Sequence, residues 1–341
     1  MSKNFLLLGG LLFSSSAIAG GFEGKTMRDP FSNRSVERGL VLGKGWFQLG
    51  LGSNYKLSTG AWSPDGEKEA WDTTSWLYTT QHLHVRYGLT RNVELSWKMT
   101  SHYVALNNID FVTNDNENGL VNSQFGIGDP EMGVKYQILR ENAPMTSIIA
   151  YGLYKAPLAN EMPGNYVASP NAFSSFVMTT GTPDLTVGFA AKKQFGPAAL
   201  TLDLAEVHRF SGLASYAIET DVNQFQVRVK PGNITKLDVE LEGQGGPVNI
   251  SAGAVYQHRS AFQIGTTSAG FFPNKNLDEV IDSDGWSLDA KAGVTFNVFQ
   301  TLDIKGAALI PLRGEDLLFF PLEDVHPTTG NVYSGELVYR F

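Results

Sequence analysis

His82 and His84 stand two apart in a run that alternates apolar and polar residues, so on a strand both imidazoles point the same way. With Glu94 they bring together donor types that zinc accepts, but no further ligand stands at a set spacing, and no metal is expected. The acidic stretches 114–119 and 278–285 do not follow the twelve-residue calcium-loop pattern and read as solvated surface. His208 beside Arg209 is the least remote start for hydrolase chemistry. No motif ties a serine to a base there, so neither an enzyme nor a cofactor is expected. The absence of cysteine removes thiol nucleophiles, disulfides and thiolate metal sites.

The other chemistry-bearing residues lie on one parity of alternating runs. They are His82, His84, Arg86, Glu94, Lys98, Asp129, Glu131, Lys135, Arg228, Lys230, Asp238, Glu240, Glu242, Asp289, Lys291, Asp303, Lys305 and Glu336. Opposite signs are interleaved, as in Asp289 with Lys291 and Asp303 with Lys305. Such a face is either a wall-bracing network of ion pairs or the lining of a polar pore.

The elements that would carry these groups are strands. In 92–100, Val93, Leu95, Trp97 and Met99 share a face, while Glu94, Ser96, Lys98 and Thr100 share the other. The runs 224–230, 236–242 and 286–298 repeat the pattern, which an amphipathic helix cannot produce. About fourteen such runs, within bounds of twelve to sixteen, occur between residues 45 and 341. Short connections are expected at Leu89–Arg91, Leu139–Pro144, Gly196–Pro197, Pro231–Ile234, His258–Ser260 and Phe299–Gln300. Mostly longer ones alternate with them at 58–74, 107–122, 157–183, 211–218, 244–247, 272–284 and 313–330.

Strict alternation of short turns and long loops is the plan of an all-β transmembrane antiparallel barrel. A sheet in lipid must close on itself, because hydrocarbon offers its backbone no partner. Only alternate residues then need be apolar, which explains 42% hydrophobic residues and a mean hydropathy of −0.12 without any long apolar run. The 36 glycines suit a crowded interior, and Tyr87, Trp97, Tyr136, Tyr256 and Tyr339 are expected as a girdle near the short turns. A formal charge of −8 argues against nucleic acid as a partner.

Residues 1–19 have the order of a secretory signal peptide: Lys3, the apolar stretch Phe5 to Phe13, then Ala17-Ile18-Ala19. The expected organisation is this signal, a periplasmic segment or plug over 20–43, and a barrel over 44–341 in a bacterial outer membrane. The last run places Tyr333, Leu337, Tyr339 and Phe341 on one face, as in the sorting signal read by the barrel-assembly machinery. Lipid and lipopolysaccharide are the expected surroundings, and the chain is expected to be a monomer. The loops carry Phe173, Phe176, Phe271, Phe272, Phe319 and Phe320, candidates for solute capture or for packing on one another.

Gly126-Ile127-Gly128-Asp129-Pro130-Glu131-Met132-Gly133-Val134-Lys135-Tyr136 resembles a strand of the bacterial barrel family named for the MetA pathway of phenol degradation. The stretches 34–52 and 87–95 are similar to the same family, which is itself distantly like the fatty-acid-channel barrels. The long apolar loop 157–183 departs from the pattern. The resemblance implies fourteen strands, a small N-terminal hatch and uptake of hydrophobic or aromatic small molecules. It also implies that Asp129 and Lys135 are a charged pair inside the wall. The function expected is therefore a channel for passive uptake of small solutes. A structural or surface-interaction barrel without transport is the alternative, and an outer-membrane hydrolase a more remote one.

Overall fold

The computed structural model describes residues 41–62, 67–70, 74–108, 122–139, 146–157, 163–164, 182–217, 224–265, 277–279, 284–299, 301–315 and 330–341. Twelve strands build the wall: β1 (Phe47–Ser58), β2 (Thr74–Gly88), β3 (Val93–Asn108), β4 (Glu131–Leu139), β5 (Thr146–Lys155), β6 (Asp184–Phe195), β7 (Ala198–Arg209), β8 (Ile234–Gly245), β9 (Val248–Arg259), β10 (Gly285–Phe299), β11 (Leu302–Glu315) and β12 (Val332–Arg340). Each pairs antiparallel with the next in sequence, and β12 returns to pair with β1, from Gln48 opposite Arg340 to Lys56 opposite Val332. The result is a closed up-and-down meander. Phe47 and Phe341 seal the seam at its rim by exchanging both backbone hydrogen bonds, at 2.8 and 2.9 Å.

Strand count is where the sequence pattern misleads. Runs 219–230 and 261–271 look like extra strands, bounded by turns at Pro231–Ile234 and His258–Ser260. Neither site reverses the chain. The pairing that sets Val207 opposite Ile234 continues without slip to set Gly212 opposite Val229. Likewise Ile234 opposite Arg259 continues to Lys230 opposite Gln263. Pro231 has no N–H to give the ladder, so the wall kinks there without turning back. Gly232 packs so tightly in that kink that a Cβ would lie 1.7 Å from the Ser260 carbonyl oxygen. Beyond the kink, Gly212–Ala217, Gln224–Lys230 and Gln263–Gly265 join Asp278–Glu279 and Pro163–Gly164 in a separate five-stranded sheet. Asn122–Ile127 similarly continues β4 past Gly128–Pro130, pairing only with β3 among the described residues.

With those kinks recognised, the short reversal falls at Gly246–Pro247, where a longer loop was expected. Gly246, like Gly196 in the β6–β7 turn, has the positive φ that a two-residue hairpin favours (63° and 61°). The rims then alternate cleanly. Tyr256 lies ten residues beyond that turn, beside Trp286 at 6.2 Å, so it belongs to the long-loop rim and not to the girdle expected near the short turns. Phe47, Tyr87, Tyr339 and Phe341 do cluster at the short-turn rim, with ring centroids 5.3–5.9 Å apart.

The wall is apolar outside and polar inside. Leu95, Val134, Phe189, Leu204, Ile250 and Phe296 are exposed on the outer face. Gln48, Arg86, Glu94, Asp303 and Arg340 are buried within. On β7 the outer face runs Leu202, Leu204, then Glu206 and His208, which marks the upper edge of the apolar band. At the lower edge of β6, Lys193 folds its amine over the Phe195 ring at 5.2 Å. Strands of 9 to 16 residues suffice to cross a bilayer when tilted. The described residues contain no helix. The fold is a transmembrane barrel.

Phe189 lies mid-strand on the lipid face, so Phe189→Arg should cost roughly 2–4 kcal/mol, against roughly 0–1 for Phe195→Arg at the rim. Urea titration of the protein folded into phosphatidylcholine vesicles would measure both.

Candidate functional site

The short-turn half of the lumen is packed with paired charge. Glu94, wholly buried on β3, accepts a two-pronged bond from Arg86 at 2.6 and 2.9 Å. Its second oxygen also accepts the Leu42 backbone N–H at 2.8 Å, and Lys135 approaches at 3.9 Å. Val41 packs beside it against Ile149, Ala190 and Tyr151. Residues 41–42 thus enter the barrel, while residues 1–40, with the expected signal and most of the expected plug, lie outside the described residues. On the other side of β1, whose Gln48 stands in register with both arginines, Arg340 bonds Asp303 at 2.7 Å and Gln48 at 3.3 Å.

Charges that alternate along one strand do not pair with each other, because residues two apart on a strand are nearly 7 Å apart. Asp303 pairs with Arg340 and Lys305 with Glu336, both across β11 and β12. Lys291 of β10 reaches past β9 to Asp238 and Glu240 of β8, the latter at 2.8 Å. Three such bridges pass over a strand whose inward residue is glycine. Lys291 crosses over Gly253, its register partner. The Tyr151 hydroxyl donates to Asp203 at 2.7 Å across Gly188, where a Cβ would come within 2.2 Å of the ring. His84 and His82 of β2 lean over Gly50 and Gly52 of β1 to reach Glu336 of β12, at 3.0 and 3.6 Å.

That last cluster is the nearest thing to a metal centre among the described residues, and its carboxylate is Glu336, not Glu94. Glu94 is committed to Arg86. Arg340 donates to the Gln48 carbonyl, which turns the Gln48 amide towards His84 Nε2 at 3.3 Å. Nε2 therefore accepts, Nδ1 carries the proton, and His84 donates to Glu336. With Lys305 at 3.5 Å from the other oxygen of Glu336, the cluster is a hydrogen-bonded brace.

The long-loop half opens into a cavity of about 340 Å³. Every wall strand except β6 and β7 lines it. Of the residues expected in the lumen, Lys98, Asp129, Glu131 and Asp289 face this cavity. His82, His84, Arg86, Glu94, Lys135, Lys291, Asp303 and Lys305 lie in the braces. Arg228 is in neither place: it sits beyond the Pro231 kink, donating to Ser211 at 3.2 Å. The cavity also has members not singled out from sequence. Lys56, Lys155, Lys236, Tyr78 and His102 face it, as does an apolar wall of Trp62, Leu309, Pro311 and Val332. Period-two parity marks Lys56 and His102 as inward once the barrel is assumed. Trp62 lies outside any alternating run.

His208 is exposed on the outer face, edge-on to Phe210 at 4.9 Å, while Arg209 is buried inside near Asp184, so the two do not share a site. Phe173, Phe176, Phe271, Phe272, Phe319 and Phe320 lie outside the described residues. Tyr333, Leu337, Tyr339 and Phe341 share the outer face, each more than a third exposed.

No family profile and no curated protein matches the chain. Among solved structures it is similar to an outer membrane channel from Pseudomonas putida F1, with a TM-score of 0.61, 11% identity, and coverage of 88% of this chain and 97% of that one. The Ralstonia pickettii toluene transporter TbuX covers 92% and 93% at 11% identity, with a TM-score of 0.43. The Pseudomonas putida toluene transporter TodX covers 91% and 92% at 11% identity, with a TM-score of 0.40. The first is a likeness of fold, and an outer-membrane barrel is the fold the distant fatty-acid-channel resemblance led one to expect. The two lower scores carry no argument.

Removing one partner of a buried pair strands the other charge, so Glu94→Gln should destabilise the barrel by about 3–5 kcal/mol. Gly188→Ala, which drives Tyr151 off Asp203, should cost about 1–3 kcal/mol. Unfolding midpoints in vesicles would check both.

Proposed function

We propose that the protein is an outer-membrane channel for the passive uptake of small solutes, exported by its N-terminal signal and inserted through its last strand. The observation that carries this reading is the cavity: a polar-lined space inside a closed wall with an apolar exterior. Its volume of about 340 Å³ lies at the small end of ligand sites and suits a solute with one ring. An aromatic or apolar body would lie on Trp62, Leu309, Pro311 and Val332, in line with the hydrophobic or aromatic solutes implied by the family resemblance. The long loops would face outside and the short turns the periplasm.

The second reading, a structural barrel without transport, is favoured by the dense braces of the short-turn half and by Val41 and Leu42 buried among them. Purified protein in a planar bilayer separates the two. The channel reading expects discrete conductance steps in potassium chloride and swelling of proteoliposomes in a small solute. A reconstituted, heat-modifiable barrel that passes neither ions nor solute would establish the structural reading instead.

A further inference from the structure

We infer that the cavity holds an anion subsite at Lys56, and that the solute it takes is a small carboxylate on an aromatic or apolar body. This deepens the channel reading and rests on it for the part the site plays in uptake.

Lys56 sits on β1 in the long-loop half and is only 5% exposed, yet it lines the cavity. Among the described residues its ammonium makes no ion-pair contact and no hydrogen bond, and the acid that attracts it is Asp289 on β10. Its register partners are Tyr78 on β2 and Val332 on β12, neither of them an anion. Several other inward lysines of this barrel are in contact with an acid. Lys155 pairs with Asp184 at 2.6 Å, Lys192 with Glu242 at 2.8 Å, and Lys305 with Glu336 at 3.5 Å. Lys56 has no such contact, and it is the most deeply buried of the lysines that line the cavity without one.

A buried ammonium with no anion in contact costs several kcal/mol unless something else meets it. Of the three acids that line the same cavity, Asp129, Glu131 and Asp289, only Asp289 attracts Lys56 electrostatically, and it does so without an ion-pair contact. Glu131 stands opposite Lys98 in register, and Asp289 accepts from Ser287 at 3.4 Å. Asn54, two residues before Lys56 on the same face, adds an amide donor to the same lining. Lys56 and Asn54 together offer the donors a carboxylate needs. The surface next to them is not polar: Trp62, 6% exposed, and Val332 continue into Leu309 and Pro311. A cation at the edge of an apolar wall selects a solute with the charge at one end and the ring at the other.

The probe is benzoate, with benzamide as its neutral counterpart of the same shape. Calorimetric titration into the purified full-length barrel should show saturable benzoate binding about ten-fold tighter than that of benzamide. Lys56→Gln should abolish the difference, while Lys56→Arg, which keeps the charge, should preserve it. Heat-modifiable mobility on gels would confirm that each variant is folded, and the wild-type comparison of the two probes needs no variant. Equal binding of benzoate and benzamide, or a benzoate preference that survives Lys56→Gln, would overturn the subsite. Conductance in potassium chloride is read separately. A barrel that conducts but treats the probes alike loses only the subsite, whereas one that binds benzoate selectively but never conducts loses the channel.

Discussion

In hydrocarbon an unpaired strand edge has nothing to bond to, so the pairing of β12 with β1 is the interaction on which the rest of this molecule depends. It runs from Lys56 opposite Val332 down to the two backbone hydrogen bonds exchanged by Phe47 and Phe341, joining the two ends of the described wall. Once that seam is closed the sheet has an inside, and side-chain parity becomes a choice between lipid and lumen. Gln48 and Arg340, register partners at the seam, both turn inward and bond each other. Leu49 and Tyr339, one residue along, both turn outward. Closure also brings Glu336, near the end of the chain, within reach of His82 and His84 near its start.

Twelve strands enclose a narrow lumen, and narrowness explains the braces. Long charged side chains from both walls must share the interior, and each carries a desolvation cost met only by a partner. Adjacent strands do not always supply one. Where the partner lies two strands away, a bulky side chain on the intervening strand would block the path; Lys192 reaches Glu242 past Thr201 and Ala199, and the other such bridges pass over glycine. Gly50, Gly52, Gly188 and Gly253 are those positions. Glycine weakens a strand, and its repeated use on the inward face marks close approach of another group. The glycine-rich composition and the ion-pair network are thus two sides of one arrangement.

Parity made the wall legible in the sequence. Leu237 and Leu241 outward, Lys236, Asp238, Glu240 and Glu242 inward, follow from alternation alone and hold in the structure. What alternation cannot say is whether the chain reverses at an interruption. Pro231-Gly232-Asn233 has the composition of a turn and acts as a kink, because the strands beyond it keep the register of those before it. Hence fourteen runs became twelve wall strands, and the tight turn moved to Gly246–Pro247. Partner choice was less legible still. Glu94 looked like the neighbour of His82 and His84 by strand order, but Arg86 is diagonal to it across the β2–β3 hairpin and takes both its oxygens. Glu336 comes to the histidines only through ring closure, which no local pattern encodes.

The division of the lumen into a braced half and an open half bears on what such a barrel can admit. In the braced half the charges satisfy one another, so the surface they leave is electrically quiet. In the cavity the balance is different: Lys98 and Glu131 face each other in register, Asp289 accepts from Ser287 and attracts Lys56 only from beyond contact, and the register partners of Lys56 are a tyrosine and a valine. A purely hydrocarbon solute would contact Trp62 and Pro311 but would have to displace water from Lys56 without replacing its hydrogen bonds. An apolar body carrying a carboxylate meets both demands. The same wall that excludes charge on its outer face therefore favours a charged solute within, because its polar residues have only the lumen in which to be satisfied.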